Sequence, residues 1–389
     1  MIHLIPGPPQ PRPAAGRYSR GVSELAEPVW GVPPRRHSGP LPVRADVLIV
    51  GGGITGVGLL WWLRDRPGVV LVERDRLAAG ASGRNAGFLL EGVAACHAVA
   101  ARRYGRARAA ALRAFTQETH QLLAEALGGR AAGYRRGGSV VEAASPEEAL
   151  DLEESAALLR EDGFDVGWDG ARLDNPRDGE LDPVEAVGVL AAGAPAGAIR
   201  EGVAVDGLEA SPAGVRVRAA GAECLAGTVV LATNAYTRLL VPEVPIAPVR
   251  AQMAATAPES PRLVARPTYA DRGYRYWRQR RDGRVLAGGY RDRALEEEVG
   301  YECVPTGRVQ AHLDEHLRGL GATAPVTHRW AGIMGFTADE LPLVGPLAGR
   351  PNVWISAGYT GHGLAFAFNC ARRLAEAVTG RRPAAALLP

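Results

Sequence analysis

The sequence contains no lysine; all 45 of its basic residues are arginine. This absence excludes an enzyme that anchors pyridoxal phosphate through a lysine Schiff base, and it excludes a lysine nucleophile. The arginines are nearly balanced by 42 acidic residues, which leaves a formal net charge of +3. Because nucleic acid binding requires a strongly basic surface, we expect no nucleic acid partner.

Cysteine and long apolar runs are also scarce. The four cysteines are scattered and form no C-x-x-C motif, which argues against disulfide reductase chemistry and against a cysteine-based zinc cluster. No run of about 18 apolar residues occurs, so we expect no membrane span, and the N-terminus lacks an apolar core of signal-peptide length. We therefore expect a cytoplasmic protein that holds no metal ion.

The chain is organised around a strand, a glycine-rich turn and a helix near residue 50. The apolar run 47–50 is typical of a strand buried on both faces, and it ends directly in Gly51-x-Gly53-x-x-Gly56, where a helix begins. A second apolar run follows the helix and ends on Glu73, 22 positions after the first glycine. This is the order of elements that a dinucleotide-binding site requires.

Each residue of this motif has a physical role. The first glycine permits a tight turn, the second lets a pyrophosphate approach the backbone, and the third lets the helix pack closely on the strand. The phosphates would lie at the helix N-terminus, where backbone N–H groups favour negative charge. Glu73 would accept hydrogen bonds from a ribose. We therefore predict a dinucleotide site rather than a chance glycine-rich turn.

Two further glycine-rich segments predict loops around the same ligand. Residues 80–88 combine glycine with polar side chains and predict a second loop over the dinucleotide, although an ordinary surface loop has a similar composition. Later, a strand at 352–357, a turn at 358–363 and a helix at 364–379 form a second strand–turn–helix unit. The N-terminus of that helix could face the electron-accepting ring of a flavin.

An alternating pattern predicts an antiparallel sheet with one polar and aromatic face. Its strands are 250–254, 274–278 and 284–289, and the last two are joined by the tight-turn signal Asp282-Gly283.

Two more apolar runs, 202–205 and 228–235, predict strands that return to the nucleotide-binding sheet. The proline-rich residues 1–43 predict an extended arm, which Trp30 could anchor.

Together these motifs resemble the FAD-dependent D-amino-acid oxidase superfamily, and most closely its gamma-glutamylputrescine oxidase-like branch. The resemblance covers roughly residues 28–380 and rests on the first glycine motif with Glu73 and on four later segments, 81–87, 230–236, 330–345 and 358–363. It implies an α/β fold in which a Rossmann-like FAD-binding domain is interleaved with an α+β substrate domain built on an antiparallel sheet. It also implies removal of hydride from a C–H bond next to an amine nitrogen, which gives an imine that hydrolyses.

The resemblance implies a discontinuous division of the chain. The expected parts are an N-terminal arm at 1–43, FAD-binding parts at 44–95, 181–242 and 330–380, substrate-domain parts at 96–180 and 243–329, and a tail at 381–389.

It also implies which residues contact FAD. They are Gly51, Gly53, Ile54, Thr55, Gly56, Glu73, Arg74, Ala81, Ser82, Arg84, Asn85, Ala86, Gly87, Val205, Thr233, Asn234, Met334, Gly361, His362 and Gly363.

The expected catalytic and substrate-contacting residues are fewer. His362 is the titratable candidate over the flavin, although a residue there could equally contribute only its backbone N–H. Tyr274 and Tyr276, with Arg278 beside them, could line the substrate cavity or simply pack in the sheet. Tyr359 is expected to form a wall of that cavity. Met334 is expected, with His362, Tyr274 and Tyr276, to contact the substrate.

Three departures from the family pattern set further expectations. Met334 stands where relatives that oxidise α-amino acids have an arginine that clamps the substrate carboxylate. Gly332 stands where a relative attaches FAD through cysteine, and residues 80–89 contain no histidine, so we expect non-covalent FAD. The lysine that aids oxygen reactivity in sarcosine oxidase relatives is missing.

The electron acceptor therefore stays open between oxygen and another acceptor. The substrate is expected to be a small amine. The alternative is a redox-silent FAD-binding protein with a structural or sensory role.

Overall fold

The computed structural model describes residues 27–31, 33, 35–128 and 132–389. Most of the expected N-terminal arm therefore lies outside the described residues, and the described part of 27–43 contains neither helix nor strand. Within the described ranges there are 18 strands and eight α-helices. None of these helices is long and apolar enough to cross a membrane.

The strands are β1 (Arg44–Val50), β2 (Val69–Glu73), β3 (Phe88–Leu89), β4 (Ser139–Glu142), β5 (Gly167–Trp168), β6 (Arg172–Asn175), β7 (Gly179–Glu180), β8 (Ile199–Glu201), β9 (Gly207–Ser211), β10 (Gly214–Ala219), β11 (Ala222–Leu231), β12 (Ala247–Pro258), β13 (Thr268–Ala270), β14 (Arg275–Gln279), β15 (Arg284–Gly289), β16 (Val326–Phe336), β17 (Leu343–Pro346) and β18 (Val353–Ala357). The helices are α1 (Ile54–Trp62), α2 (His97–Tyr104), α3 (Arg106–Leu127), α4 (Pro146–Glu161), α5 (Pro183–Ala192), α6 (Thr237–Leu240), α7 (Gly307–Gly319) and α8 (Gly363–Val378).

The first sheet has the order β17-β18-β11-β1-β2-β8, and β10 and β9 extend from β11. Its central strands, β18, β11, β1, β2 and β8, are parallel. Val47 and Ile49 face a core that includes α1, α5 and α8, whereas Leu48 and Val50 face a second core on the other side. The strand predicted to be buried on both faces is therefore confirmed, and the parallel order explains why it is apolar throughout.

One predicted strand is wrong. The run 202–205 contains no strand; the segment that pairs with β2 is β8, which ends just before it at Glu201. Gly202 has a φ of 79°, a left-handed conformation that turns the chain out of the sheet. Val205, an expected FAD contact, follows this turn and packs against the second core of the first sheet.

The second sheet has the order β16-β12-β15-β14-β13-β4-β6-β5 and is antiparallel except between β13 and β4. Its side chains alternate between two faces, as the sequence predicted. Trp277 and Val285 pack on one face against α7. Tyr276 and Trp330 lie on the other face, in a cluster that also contains Phe88.

The expected boundary between residues 329 and 330 falls inside β16. This strand pairs with β12 along its length, from the Val326–Thr256 pair to the Phe336–Ala247 pair. Residues 330–336 therefore belong to the second sheet rather than to the FAD-binding part. Gly332 and Gly335 interrupt the alternation of polar and apolar side chains along β16, so the sequence pattern did not indicate a strand here.

Helix α3 also departs from the expected division, because it lies within the segment 96–180 assigned to the substrate domain. Its buried residues Leu112 and Phe115 belong to the same core as α1 and α8 of the first sheet. The Phe115 ring stacks on Phe366 of α8, with 5.7 Å between the ring centroids.

Arg278 of β14 ties the second sheet to the loop after β2. Its side chain is 5% exposed, and its Nε lies 2.9 Å from Oε2 of Glu180. One terminal nitrogen donates to the backbone oxygens of Ala86 and Gly87, at 3.1 and 3.0 Å. Burial lowers the pKa of Arg278 to about 10, and Glu180 opposes that effect. Arg278 is thus a buried structural cation and does not line a cavity.

Replacing Arg278 with methionine is expected to lower the free energy of unfolding by about 1–3 kcal/mol, because buried Oε2 of Glu180 and three backbone oxygens would lose their cationic partner, while Arg135 would still bind Oε1. Arg216→Met is the control, since Arg216 pairs with Glu223 at an exposed site and its loss should change stability by about 1 kcal/mol or less. Chemical denaturation of both variants measures the difference. Equal effects of the two changes would contradict the assigned role of Arg278.

Candidate active site

The first glycine turn joins β1 to α1 through close backbone contacts. Gly51 has a φ of 114°, and a Cβ atom there would lie 2.6 Å from the backbone oxygen of Ala232. A Cβ atom at Gly56 would lie 1.9 Å from the backbone oxygen of Gly51. Both glycines are therefore required for the helix to begin directly at the end of the strand. Gly53 is the N-cap of α1 and provides no capping side chain.

Glu73 is fixed at the end of β2 beside this turn. Its two carboxylate oxygens accept hydrogen bonds from the backbone N–H groups of Gly52 and Asp75, at 2.7 and 2.8 Å. Burial raises the pKa of the Glu73 carboxyl, and the two backbone donors oppose this rise. The side chain is thus held in one orientation next to the glycine turn, where a nucleotide ribose would be bound.

The loop at 80–87 contacts the start of α1, as expected of a second loop over a dinucleotide. Ser82 Oγ accepts a hydrogen bond from the backbone N–H of Ile54 at 2.9 Å. Asn85 donates to the backbone oxygens of Ala81 and Ser82, and its own Oδ1 accepts from the N–H of Gly87. Asn85 therefore shapes the loop itself. The Trp30 Nε1 donates to the backbone oxygen of Asn85 at 2.9 Å, so Trp30 anchors the described part of the N-terminal segment.

Arg84 links the same loop to the edge of the second sheet. Its side chain donates to the backbone oxygens of Ala79 and Ala331, both at 3.0 Å. In return, Trp330 Nε1 donates to the backbone oxygen of Arg84 at 2.9 Å. The guanidinium is therefore occupied by protein carbonyls.

The turn at 358–363 approaches the first glycine turn through side chains at the end of β11. Asn234 Oδ1 accepts a hydrogen bond from the N–H of Gly358 at 2.9 Å. Thr360 N–H donates to the backbone oxygen of Gly335 in β16 at 2.8 Å. A Cβ atom at Gly361 would lie 3.7 Å from Met334 Sδ, so Met334 contacts this turn.

Tyr359 is not a wall of the substrate cavity. Its ring is 6% exposed and belongs to the core beneath α1 and α8. Its hydroxyl pairs with Thr55 Oγ1 at 3.0 Å and with Ser356 Oγ at 2.8 Å. Tyr359 therefore connects the two glycine-rich units from inside the core, and Thr55 presents its hydroxyl to Tyr359.

The remaining expected FAD contacts lie around these loops. Thr233 Oγ1 lies 2.8 Å from Thr237 Oγ1 at the end of β11, and the Arg74 guanidinium lies 4.1 Å from the ring centroid of Tyr236. These residues share the carboxyl ends of β2 and β11, the edge at which parallel sheets bind ligands. Their contacts with FAD stay predictions.

The residues present fit FAD. Backbone N–H groups at the start of α1 would hold the pyrophosphate, Glu73 would hold the adenosine ribose, and the turn at 358–363 would lie beside the ring. Gly51 and Gly56 keep the first turn tight enough for this arrangement. In the described part of the chain, the buried His362 Nδ1 has no hydrogen-bond partner, which leaves a polar atom for a ligand at this turn.

Four aromatic side chains form a cluster against the same turn. The rings of Tyr269 and Tyr276 stack with centroids 5.7 Å apart. Phe88 lies 5.8 Å from Tyr269, and His362 lies 6.1 Å from Tyr269 in an edge-on orientation. We call Phe88, Tyr269, Tyr276 and His362 the aromatic cluster. It brings the expected residues Tyr276 and His362 together.

The sequence analysis did not predict Tyr269 as a residue of the site. Tyr269 is the direct cross-strand partner of Tyr276 between β13 and β14. Because aromatic pairs are favoured at such positions, a predicted pairing of these two strands could have identified it. A Cβ atom at Gly288 of the next strand would lie 2.1 Å from the Tyr276 ring. The glycine therefore allows the Tyr276 ring to lie across β15.

The titratable groups of the cluster are neutral near pH 7. Burial raises the pKa of Tyr269 to about 12, and it also raises the pKa of Tyr276. Burial lowers the pKa of His362 to about 4. The phenols can therefore donate hydrogen bonds but are poor bases, whereas the neutral imidazole can accept a hydrogen bond.

The expected substrate-contacting residue Tyr274 lies apart from the stacked tyrosines. Tyr274 lies under the guanidinium of Arg291, 4.3 Å from its ring centroid. Arg329 faces the other side of the sheet and donates to Gln310 and Asp314 of α7, at 2.9 and 2.7 Å.

A glycine-rich turn of the dinucleotide-binding type on a parallel sheet, with an aromatic cluster on an adjoining antiparallel sheet, is compatible with a cofactor-dependent oxidoreductase. The family described as FAD dependent oxidoreductase matches residues 46–377. The protein therefore belongs to this family, which uses FAD. The sequence resemblance to the superfamily and the expected fold class are both confirmed.

Comparison with curated proteins gives relatives of several activities. The chain is 34% identical to a glycine oxidase of Pseudomonas aeruginosa over 40% of this chain and 42% of that protein. It is 31% identical to the tRNA 5-methylaminomethyl-2-thiouridine biosynthesis bifunctional protein MnmC of Maricaulis maris, over 96% of this chain and 58% of that protein. The matches thus span about half the length of these two relatives. Identity to gamma-glutamylputrescine oxidoreductase of Escherichia coli is 28%, over 87% of this chain and 84% of that protein.

Solved structures share the fold at low identity. Glycine oxidase from Geobacillus kaustophilus superposes with a TM-score of 0.73 at 21% identity, covering 88% of this chain and 96% of that one. L-proline dehydrogenase from P. horikoshii superposes with a TM-score of 0.71 at 20% identity, over the same shares. The relatives are named as oxidases and dehydrogenases, which favours an FAD-dependent oxidoreductase over the redox-silent alternative.

Replacing Glu73 with alanine is expected to weaken FAD binding by about 1–3 kcal/mol, because charge-assisted hydrogen bonds to the ribose are lost. Acid treatment should release all of the yellow colour, since we expect no covalent bond, and the refolded apoprotein can then be titrated with FAD. Glu209→Ala is the matched control, because Glu209 is exposed and pairs with Arg218 in the same sheet. Colour that stays with the precipitate, or equal FAD affinity of both variants, would contradict these assignments.

Proposed function

We propose that the protein removes hydride from a C–H bond next to the amine nitrogen of a small amine or amino-acid derivative. Hydride loss from the uncharged amine gives an iminium ion, which releases its N–H proton to water to form an imine, and water then hydrolyses the imine. The observation that supports this best is the position of the aromatic cluster: His362 belongs both to the cluster and to the turn expected beside the flavin. Relatives named for the oxidation of glycine, of L-proline and of gamma-glutamylputrescine agree with an amine substrate.

The protein's own residues have binding and orienting roles in this proposal. FAD, when bound, supplies the hydride acceptor. The rings of Phe88, Tyr269 and Tyr276 exclude water and hold the substrate carbon chain, which fixes the orientation of the reacting C–H bond. A ring nitrogen of neutral His362 accepts a hydrogen bond from the substrate amine. No strong base is required, because an uncharged amine can lose hydride directly.

Met334, beside the turn at 358–363, limits which substrates can bind there. Its thioether contacts the turn at Gly361 but cannot form the paired charged hydrogen bonds that an arginine gives to a carboxylate. We infer that simple α-amino acids are poor substrates and that longer or secondary amines fit better.

Anaerobic mixing of the FAD-loaded protein with a panel of amines tests the proposal. Glycine and sarcosine are expected to bleach the flavin absorbance slowly, and amines with a longer carbon chain quickly, because the aromatic cluster must orient the chain. Met334→Arg should raise the rate with glycine, and Met334→Leu is the control of similar volume. If no amine reduces the protein, the redox-silent alternative stands. Rapid reduction by glycine would show that Met334 has been misinterpreted.

Reaction of the reduced enzyme with oxygen is expected to be slow. The sequence has no lysine to stabilise negative charge on oxygen, His362 is neutral at pH 7, and Arg84 donates to two backbone carbonyls. The guanidinium of Arg291 stacks on Tyr274 and Phe336, which lie outside the turn at 358–363. Met334→Lys should speed reoxidation by air, whereas Met334→Gln should not, because only lysine adds positive charge beside the turn. Stopped-flow mixing with aerated buffer measures both rates. Wild-type reoxidation as rapid as in efficient oxidases would refute the argument.

A further inference from the structure

Arg291 lies beside the aromatic cluster without an anionic partner among the described residues. Its guanidinium stacks over two rings, 4.3 Å from the centroid of Tyr274 and 5.0 Å from that of Phe336. Its side chain is partly buried. A partly buried cation that is held by aromatic faces keeps its N–H donors available to an anion.

The neighbouring arginines of the second sheet are paired, which sets Arg291 apart. Arg275 and Arg293 both bind Asp292. On the far face of the sheet, Arg250 lies 2.8 Å from Glu298. The neighbouring arginines are therefore paired with carboxylates, whereas the Arg291 guanidinium is paired with none among the described residues.

A left-handed residue directs Arg291 to this position. Tyr290 has a φ of 63°, a left-handed conformation that is unfavourable for a non-glycine residue. The cost is offset on the α7 side, where the Tyr290 hydroxyl lies 3.0 Å from His316 Nδ1 and the Arg275 guanidinium lies 3.8 Å from the ring centroid. The chain reverses here, so Tyr290 packs towards α7 while Arg291 lies on the opposite face.

The face that Arg291 occupies is that of the substrate. Phe336, beneath the guanidinium, is two residues beyond Met334 on the same side of β16, and Met334 contacts the turn at Gly361. Burial raises the pKa of Tyr269 and of Tyr276, and the positive charge of Arg291 acts against both shifts. The guanidinium is thus close enough for its charge to act on both stacked tyrosines.

We propose that Arg291 binds the carboxylate of the substrate, and that this carboxylate is separated from the oxidised carbon by several bonds. The inference rests on the proposed function and adds the specificity-determining residue. Two residues along a strand span about 7 Å, so an anion held beside Phe336 lies farther along β16 than one held at position 334. The substrate class is an amine with a distal carboxylate, such as a straight-chain ω-amino acid or an N-substituted relative.

Binding of carboxylates that cannot be oxidised tests the residue without turnover. Acetate, butanoate and hexanoate are titrated into the FAD-loaded protein, and the change in flavin absorbance gives each Kd. Arg291→Gln should raise the Kd of the longer acids about 10- to 100-fold, the loss expected for a charged hydrogen-bonded pair. Arg291→Lys should fall between, since it keeps the charge but not the fork. Arg293→Gln, on the same turn, is the control and should not change the Kd.

Anaerobic reduction by matched amines separates this inference from the proposed function. Glycine, 4-aminobutanoate and 6-aminohexanoate are compared with the amides of the same acids. The longer acids should reduce the wild type faster than their amides, and Arg291→Gln should remove that preference.

Each outcome has one meaning. Equal rates for acids and amides in the wild type, or a Kd unaffected by Arg291→Gln, would overturn the role of Arg291 and leave the proposed function intact. No reduction by any amine, with carboxylate binding still dependent on Arg291, would instead overturn the proposed function. If Arg291→Gln shifts the thermal midpoint, Arg291→Lys decides: a Kd between those of the wild type and Arg291→Gln, in a protein of normal stability, supports the role of the charge, and a Kd equal to that of Arg291→Gln refutes it.

Discussion

The open edge of the second sheet constrains the rest of the structure. β16 is the edge strand, and its outward backbone oxygens need hydrogen-bond donors if they are not to face water or another chain. The donors come from the two loops expected around the cofactor: Arg84 donates to Ala331, and Thr360 donates to Gly335. The loops that would hold FAD therefore also form hydrogen bonds with the edge strand β16. These bonds connect the first sheet to the second sheet through the cofactor loops.

The same strand would present its side chains to the proposed substrate. Gly332 has no side chain, and a Cβ atom there would lie 2.9 Å from the Cβ of Arg84, so the edge contact requires a glycine. Met334 and Phe336, at the next positions on that face, contact the turn at Gly361 and the Arg291 guanidinium. One strand therefore joins the backbone contacts of the cofactor loops to the side chains of the proposed substrate site, so a substitution along it is expected to affect both.

Local chemistry made part of this structure predictable. The turn from Gly51 to Gly56 and the acid Glu73 follow from spacing and backbone sterics, which are properties of adjacent residues. Tyr269 and Arg291 could not be assigned in this way, because their roles depend on strand pairing across the sheet and on a left-handed residue whose support comes from α7. The edge contacts of β16 also depend on distant partners. Periodicity shows which face a side chain occupies but not which strand lies beside it.

Because arginine is the only strongly basic residue in the sequence, the surroundings of each buried arginine determine its role. A guanidinium stays charged at any physiological pH, so burial cannot neutralise it and a partner has to be supplied. Arg278 is deeply buried and has Glu180 and three backbone oxygens, whereas Arg291 is partly buried and rests on aromatic faces. With the tyrosines and His362 neutral near pH 7, Arg291 would supply the positive charge at the proposed substrate site. The proposed substrate would then bring a negative group to Arg291 and a neutral amine to the aromatic cluster.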